Sequence, residues 1–447
     1  MRNKYLIDTP PPTISGKKGL HIGHIFSYTQ GDIAARYNKY IGKELIYPAC
    51  FDNNGIPTQK SFSQLSKEIP TTQNIINFSI EKSKEYKEIF TNSGIEFGKQ
   101  EYHTYDERAI KIAYQAFEIL KSKGIAYKAT TDYLWSEKLQ TSISQSEIDD
   151  SGIIERTGEK AIIKTGEGWF INIKNHLPQL REQIEKIDWK PLHFKKRALD
   201  WIDAIEWDWS ISRERNFGIP IPGESSTFDT WFISALSPYL AWASHTGEAS
   251  IEQCPIFDMR FQSHDIIRTW AFYTITMSYF LSNQIPWKTI MISGHTLDGK
   301  GDKFSKSSGN ATTAKPFIEK YGIRGIRHWS ISTTLGTDTK INEPTMKMGW
   351  KIYNKFQNAK RFIQMQKSNN WIGKDDSLIT IWENYKINIL NSFEIYDYYK
   401  ASELIYEFFW NIFCDKWIEE SKQNPTSETL EFIINDFEPI FNIIYGD

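Results

Sequence analysis

Three consecutive prolines that follow a short apolar run constrain the N-terminal part of this chain more than any other feature. The run is Tyr5-Leu6-Ile7, and the prolines are Pro10-Pro11-Pro12. Proline donates no backbone hydrogen bond and is not tolerated in a helix interior, so a strand must end here. Apolar residues then recur at helical spacing from Ile22 to Tyr37, which predicts a helix of about five turns that ends at Gly42. With a second strand at Leu45-Ile46-Tyr47, this unit predicts a parallel α/β sheet.

Composition limits the class of protein. The chain has 447 residues, of which 40% are hydrophobic and 15% aromatic, so we expect a globular protein of two or three domains. Its formal net charge of -2 gives no overall basic field, so RNA binding would need local basic patches. Cys50, Cys254 and Cys414 lie far apart in the sequence, which argues against a disulfide framework and a cysteine zinc site.

The N-terminus and the hydropathy pattern bear on where in the cell the protein is expected. No signal peptide precedes the first strand, and no stretch approaches the roughly 20 apolar residues that span a bilayer. We therefore expect a cytoplasmic protein with no membrane partner.

The rest of the chain divides into segments with different patterns of apolar residues. Glu107 to Ser122 predicts an amphipathic helix, and residues 128–225 form a mixed segment with hairpin-like stretches. Ile266 to Leu281 is apolar nearly all round, as in a helix buried against a sheet, and Thr289 to Ile292 predicts a buried strand. After about residue 346 the pattern is helical and rich in aromatic residues. The stripe there is expected to be core packing rather than a base-stacking platform: Tyr406, Phe409, Trp410, Phe413 and Trp417.

The tetrapeptide His21-Ile22-Gly23-His24 opens the first predicted helix. A helix N-terminus attracts anions because its free N–H groups point outward and its macrodipole is positive there. Two imidazoles, with a glycine that lets a ligand approach the backbone, suit a triphosphate. Taken alone, however, four residues of this kind occur by chance in many proteins.

A second motif, Lys303-Phe304-Ser305-Lys306-Ser307, follows the predicted strand at Thr289 to Ile292. The connecting loop contains Gly294, Gly299 and Gly301. Lysines on such a loop can close on phosphates and neutralise charge that develops as pyrophosphate leaves. A single run of this kind is more often a solvated charged loop. Together, the two motifs match a nucleotide-binding fold built from two halves.

Both motifs are signature sequences of class I aminoacyl-tRNA synthetases (the HIGH and KMSKS motifs), and the chain resembles this family. It is most similar to valyl-tRNA synthetases over nearly its whole length, and isoleucyl and leucyl relatives fit less well. The stretches that carry this resemblance are Thr9–Gly16, Phe51–Thr58, Asp229–Leu236, His264–Trp270 and Tyr406–Trp410.

The resemblance implies a role for individual residues. His21 and His24 would hold the ATP phosphates, and Lys303 and Lys306 would stabilise the transition state of adenylate formation. Asp52 would pair with the substrate α-ammonium, although before Asn54-Gly55 it also fits a turn residue. The remaining ATP contacts would be Gly23, Gly294, His264, Asp265 and Ser305. The side-chain pocket would be walled by Pro11, Pro12, Trp231 and Trp270, although both tryptophans also fit ordinary core positions.

The resemblance also implies a fold and a reaction. The expected fold class is α/β: a split Rossmann-like catalytic sheet in residues 1–127 and 226–312, a reduced connective insertion in 128–225, a linker in 313–345 and a helical anticodon-binding-like bundle in 346–447. The expected substrates are ATP with Mg²⁺, valine or a similar small branched amino acid, and tRNA. The carboxylate of the amino acid would attack the ATP α-phosphate in line, with no covalent nucleophile. A monomer is expected.

Several departures from the family keep alternatives open. The large editing domain has no counterpart, since only Ser151 to Gly168 lies between the expected helical hairpin and Trp169. The family's zinc-ligand cysteines are missing from Leu134–Leu139. The acceptor could therefore be a molecule other than tRNA. A third reading, a catalytically idle RNA-binding paralogue, conflicts with the retained histidines, Asp52 and lysines.

Overall fold

The computed structural model describes residues 3–15, 19–66, 71–138, 141–143, 148–149, 151–154, 157–214, 217–302, 313–366, 376–423 and 427–446. The strands are β1 (Lys4–Asp8), β2 (Glu44–Ile46), β3 (Ala49–Phe51), β4 (Glu101–His103), β5 (Ala126–Ser136), β6 (Thr141–Ile143), β7 (Ile162–Ile171), β8 (Asp188–Lys190), β9 (Trp209–Ser210), β10 (Ser212–Arg213), β11 (Thr227–Phe228), β12 (Phe257–Ser263), β13 (Trp287–Ser293), β14 (Thr296–Leu297) and β15 (Thr339–Lys340).

The α-helices are α1 (Ile22–Tyr40), α2 (Ile56–Leu65), α3 (Thr72–Asn92), α4 (Glu107–Ser122), α5 (Leu177–Lys186), α6 (His193–Asp203), α7 (Thr230–Ser234), α8 (Ser237–Thr246), α9 (Phe272–Ser282), α10 (Lys315–Ser330), α11 (Glu343–Gln366), α12 (Asp376–Glu394), α13 (Tyr398–Tyr406), α14 (Glu419–Ser421) and α15 (Ser427–Tyr445). Helix α9 is preceded by a 3-10 turn (His264–Ile266) and a π-helical turn (Ile267–Ala271). Within the described ranges, no helix combines the length and apolar character that crossing a bilayer requires.

A parallel five-stranded sheet lies at the centre of the fold, in the order β2-β1-β12-β13-β8. Strand β1 pairs directly with β12, so the sheet joins the first part of the chain to a strand some 250 residues later. This arrangement confirms the predicted split Rossmann-like sheet. Strand β8 lies within residues 128–225, so the segment predicted as an insertion also contributes an edge strand to this sheet. The domain boundaries themselves stay a prediction.

Helix α1 forms where the sequence predicts it. His21 is its N-cap residue and takes part in a capping box with His24, which satisfies two backbone N–H groups of the first turn. The helix buries an apolar face against the sheet, including Ile22, Ile25 and Ile33. It ends just before Gly42, whose φ of 86° falls in the left-handed region that glycine adopts without strain.

The middle segment contains a long antiparallel ribbon. Strands β5 and β7 pair from Ala126↔Ile171 to Trp135↔Ile162. This ribbon accounts for the hairpin-like pattern in the sequence. Helices α5 and α6 follow it and pack against each other and against the catalytic sheet's edge.

The C-terminal segment is helical, as predicted. In its aromatic stripe, Phe409 and Phe413 are fully buried, and Tyr406, Trp410 and Trp417 are partly buried against the same core. The stripe is therefore core packing. Residues Glu407–Ile418 form a π-helix within it.

Two arginines of helix α10 bind the C-terminal end of helix α15. Arg324 donates to the carbonyl of Tyr445 at 2.7 Å, and Arg327 donates through Nη2 to the carbonyl of Ile443 at 3.0 Å and through Nε to that of Ile444. Carbonyls in the last turn of a helix have no partner within the helix, and cations are favourable there. Arg327 also forms a fully buried ion pair with Asp32 of helix α1, with an Nη1–Oδ2 distance of 2.6 Å. The bundle is thus joined to helix α1.

Candidate active site

A cavity of about 380 Å³ opens at the carboxyl ends of the central strands. The loop after β1 contributes residues 10–13, and helix α1 contributes its first two turns. The end of β12 and the turn that follows it form a second wall, and Gly294-His295-Thr296 after β13 form a third. Ligands of open α/β sheets bind at this edge, and the volume lies within the range of small-molecule sites.

The two histidines of the first motif stand together at the cavity wall. Their ring centroids are 3.9 Å apart. His21 Nδ1 accepts from the backbone N–H of Gly23 at 3.1 Å, and His24 Nδ1 accepts from the backbone N–H of His21 at 3.3 Å. An acceptor at Nδ1 places the proton of a neutral imidazole on Nε2. Burial, and secondarily the neighbouring His21, hold the pKa of His24 well below its ordinary value. His24 is therefore a neutral hydrogen-bond donor near pH 7.

Gly23 brings helix α1 close to the loop after β13. A Cβ atom at this position would lie 2.9 Å from both His21 Nδ1 and Thr296 Oγ1, which is too close for carbon. Any larger residue would force the side chain of His21 or Thr296 to shift, so glycine lets the first turn of α1 approach this loop closely. The positive end of the helix and the adjacent N–H groups form a ready anion site there.

Eight of the sequence-predicted residues meet in this cavity wall. They are Pro11, Pro12, His21, Gly23, His24, Asp265, Trp270 and Gly294. They come from an N-terminal segment (residues 11–24) and from two segments more than 200 residues later (265–270 and 294). The parallel register of β1, β12 and β13 brings them together.

Trp231 lies behind the wall rather than in it. Its indole packs edge-on against that of Trp270, with ring centroids 5.2 Å apart. Trp270 is 7% exposed, and Trp231 is partly buried. Trp231 thus fixes the orientation of Trp270, which faces the cavity.

Asp52 also lies one layer behind the wall. Its backbone N–H donates to the carbonyl of Pro12 at 3.0 Å, and its Oδ2 accepts from the hydroxyl of Thr13 at 3.2 Å. The other oxygen, Oδ1, accepts from the hydroxyl of Thr104 at 3.1 Å and from the backbone N–H of Asn54 at 3.2 Å. These donors hold a buried carboxylate next to the loop that lines the cavity.

His264 contacts the cavity through a neighbour. Its ring lies 3.8 Å from that of His295, which is in the wall. Arg197 Nη1 lies 3.0 Å from its Nδ1, and Asp338 Oδ1 lies 3.0 Å from its Nε2. Asp338 Oδ1 also accepts from the backbone N–H of His295 at 2.7 Å. His264 thus lies beside His295 rather than in the cavity wall, and its contact with ATP stays a prediction.

The second motif, with Lys303, Ser305 and Lys306, lies outside the described residues, which stop at residue 302 and resume at residue 313. Among the described residues, no group of three or more His, Cys, Asp and Glu side chains could hold a metal ion.

Sequence reasoning missed Tyr28, Gln262 and His295, which all line the cavity. Gln262 and His295 stand at the carboxyl ends of β12 and β13, where ligands of parallel sheets bind. His295 closely follows the strand predicted at Thr289 to Ile292, and that position was a signal that could have found it. Tyr28 lies one turn further along α1 than the motif, and its hydroxyl donates to the carbonyl of Pro10 at 3.1 Å.

Comparisons with known proteins bear on this site. Curated valine--tRNA ligases are similar to the chain: that of Ehrlichia ruminantium (strain Gardel) is 25% identical, covering 96% of this chain and 78% of the relative. The enzyme of Rickettsia prowazekii (strain Madrid E) is 26% identical, with coverages of 95% and 78%. The Ehrlichia alignment spans 639 positions although this chain has 447 residues, so roughly 200 positions face no residue of it.

Solved structures share the fold. Mycobacterium tuberculosis methionyl-tRNA synthetase bound by methionyl-adenylate has a TM-score of 0.81 at 16% identity, covering 99% of this chain and 92% of that one. The LeuRS of Agrobacterium radiobacter K84, solved as a LeuRS-tRNA-LeuAMS complex, has a TM-score of 0.82 at 13% identity, covering 99% and 84%. The family model for tRNA synthetases class I (I, L, M and V) matches residues 1–225 and 223–342. The chain belongs to this family of class I aminoacyl-tRNA ligases.

Proposed function

We propose that this chain activates valine, or a similar small branched amino acid, with ATP and transfers the aminoacyl group to tRNA. The observation that carries the proposal is the meeting of His21 and His24 with Pro11, Trp270 and Gly294 around one cavity. An anion-binding helix end and an apolar slot share that space, as a reaction between a triphosphate and an aliphatic amino acid requires.

The histidines would bind the phosphates of ATP. Each presents an Nε2–H group as a donor, and the first turn of α1 adds its N–H groups and dipole. Such fixed donors stabilise charge that develops as the carboxylate attacks the α-phosphate and pyrophosphate leaves. Lys303 and Lys306 would add positive charge from the segment of the sequence between β14 and α10. Mg²⁺ would arrive on ATP, because it is usually held by substrate phosphates with one or two carboxylates.

The amino acid would be held at both ends. Asp52 is a buried carboxylate behind Pro12 and Thr13, and it would pair with the α-ammonium group. Pro11 and Trp270 would enclose the side chain, and Trp231 would fix Trp270. Holding the carboxylate in line with the α-phosphate supplies much of the rate enhancement without a covalent intermediate.

The acceptor is the less constrained part of the proposal. tRNA is the acceptor that the family implies. The roughly 200 relative positions with no counterpart here favour the absence of an editing domain, so we expect no hydrolysis of mischarged threonyl-tRNA. The same internal shortening motivates a second candidate, transfer to an acceptor other than tRNA.

Amino-acid-dependent exchange of pyrophosphate into ATP tests the activation step. The expected result is exchange with one or more small branched amino acids, and no exchange with any of the twenty would refute the proposal. His24→Asn should lower the exchange rate by about 10²-fold or more, because a fixed transition-state donor is lost. His245→Asn is a matched control, since His245 contacts Lys4 at the opposite, amino-terminal end of the sheet. It should leave exchange unchanged.

Charging of total tRNA with the amino acid that supports exchange tests the acceptor. Aminoacyl-tRNA formation supports the first candidate. Exchange without charging would favour another acceptor.

A further inference from the structure

The loop after β13, which forms one wall of the cavity, is backed by residues 336–339, a segment that the proposed function does not use. A Cβ atom at Gly294 would lie 2.1 Å from the carbonyl oxygen of Thr337, so the two backbones are in direct contact. The backbone N–H of Thr339 donates to the carbonyl of His295 at 2.8 Å, and β14 pairs in parallel with β15. The position of this wall therefore depends on the segment behind it.

Asp338 is the side chain that joins this segment to the wall. Its Oδ1 accepts from the backbone N–H of His295 at 2.7 Å and lies 3.0 Å from Nε2 of His264. The ring of His264 in turn lies 3.8 Å from that of His295. One carboxylate oxygen thus holds both the backbone of a wall residue and the ring that packs against it.

Helix α6 determines how His264 meets Asp338. Arg197 Nη1 lies 3.0 Å from Nδ1 of His264, and a guanidinium can only donate, so this Nδ1 accepts. The proton of the neutral imidazole is then on Nε2, where it is donated to Asp338. Phe194 stacks on the same ring, with centroids 5.6 Å apart. The middle segment of the chain therefore supports the cavity wall from behind.

The supported loop lies on the side of the cavity assigned to the nucleotide. A Cβ atom at Gly23 would lie 2.9 Å from Thr296 Oγ1, so the loop stands against the first turn of α1, where anions are favoured. Pro11 and Trp270, which are assigned to the amino-acid slot, come from other segments of the chain. A shift of the loop should therefore affect ATP more than the amino acid.

We propose that Asp338 is a positioning residue for ATP, which holds the loop after β13 in its binding geometry, and that Arg197 assists it through His264. Neither side chain takes part in the chemical step. This inference rests on the activation step of the proposed function, and it does not depend on which amino acid is activated.

Two measurements test the role of Asp338: the Kd of Mg-ATP by calorimetry, and the KM values for ATP and for the amino acid in pyrophosphate exchange. Asp338→Ala should raise the Kd and the KM for ATP by about tenfold and the KM for the amino acid by less than about twofold. Asp338→Asn keeps an acceptor oxygen and should stay within about threefold of the unmodified protein. An unchanged Kd for ATP in Asp338→Ala, or an equal rise in both KM values, would overturn the inference.

Asp149→Ala is a matched control. The Oδ1 of Asp149 also accepts from two backbone N–H groups, those of Ser151 and Ile153, both at 2.9 Å. This aspartate lies between β6 and β7 and does not line the cavity. Its loss should leave the ATP affinity and both KM values unchanged.

A double variant tests whether Arg197 acts through the same contact. Arg197→Met should raise the Kd for ATP by about threefold alone and have no further effect in the Asp338→Ala protein. Equal effects in both backgrounds would overturn the part assigned to Arg197. ATP binding without exchange for any amino acid would refute the proposed function, while the Kd values would still decide the role of Asp338. Failure of the unmodified protein to bind ATP would overturn both.

Discussion

Replacing Arg327 by methionine tests the connection between helix α15 and the catalytic sheet. Both partners of the Arg327–Asp32 pair are fully buried. The same guanidinium donates to the carbonyls of Gly94, Ile443 and Ile444. Methionine keeps most of the apolar stem of the side chain but provides no donor, so all of these bonds are lost at once.

The expected loss of stability follows from these partners. Asp32 would keep Arg36, whose Nε lies 2.8 Å from Oδ2, and the backbone N–H of Glu96 at 2.7 Å. Losing one charge-assisted bond then costs about 1.5–3 kcal/mol, and each of two helix-end carbonyls left without a donor adds about 1 kcal/mol. The sum agrees with the roughly 3–5 kcal/mol typical of breaking a buried ion pair. We therefore expect Arg327→Met to lower the free energy of unfolding by about 4 kcal/mol.

Equilibrium urea denaturation measures this change. Arg181→Met is a matched control, because Arg181 pairs with Asp203 where both side chains are exposed. Its cost should stay below about 1 kcal/mol. The double variant Asp32→Asn with Arg327→Met should be less destabilised than the sum of the single variants. A loss of under about 1 kcal/mol for Arg327→Met alone would refute the reasoning.

Three further predictions concern the site, pH and packing. Asp52→Asn should raise the KM for the amino acid in pyrophosphate exchange by about tenfold or more, with the KM for ATP little changed, since a charged partner of the α-ammonium is lost; equal increases for both substrates would contradict the assigned role. Burial lowers the pKa of His328 to about 4 in the folded protein, whereas its ordinary pKa is near 6.5. Between these two pH values the imidazole takes up a proton only in the unfolded chain. The free energy of unfolding should therefore fall by about 3 kcal/mol as the pH is lowered from 6.5 to 4. Urea titrations of His328→Phe should lack this part of the acid dependence. Gly31→Ala would place a Cβ 2.4 Å from Phe261 and should destabilise the fold by about 1–3 kcal/mol, whereas Gly299→Ala, with open space around it, should be neutral in the same thermal melts.

The sequence alone predicts several of the helices and strands that position the site. Helix α1, strand β13 and helix α4 appear where their periodicity predicts them, because each buries one continuous apolar face. The histidine pair was identifiable because it must stand at a helix N-terminus to bind an anion. Strand β8 was not identifiable: Asp188–Lys190 is three residues long and has no period of its own, and only pairing with β13 makes it a strand.

The depth of each side chain below the cavity surface could not be read from the sequence. Pro12 lines the cavity, whereas Asp52, 40 residues later in the sequence, lies behind it. This order depends on a backbone pairing between two loops. The same holds for His264, whose position follows from contacts with Arg197 and Asp338. Gln262, which also lines the cavity, was missed because a single glutamine near the end of a strand forms no pattern in the sequence.

The junction at Asp32 has a consequence for how this protein responds to its substrates. Helix α1 is a single uninterrupted helix, with the histidine pair at its start and Asp32 near its middle. Whatever orders the first turn of α1 therefore also restrains Arg327, which donates to the carbonyls of Ile443 and Ile444 in the last turn of α15. We expect ATP to slow amide hydrogen exchange in residues 440–446, far from the nucleotide, so that the final helix reports on occupancy of the cavity.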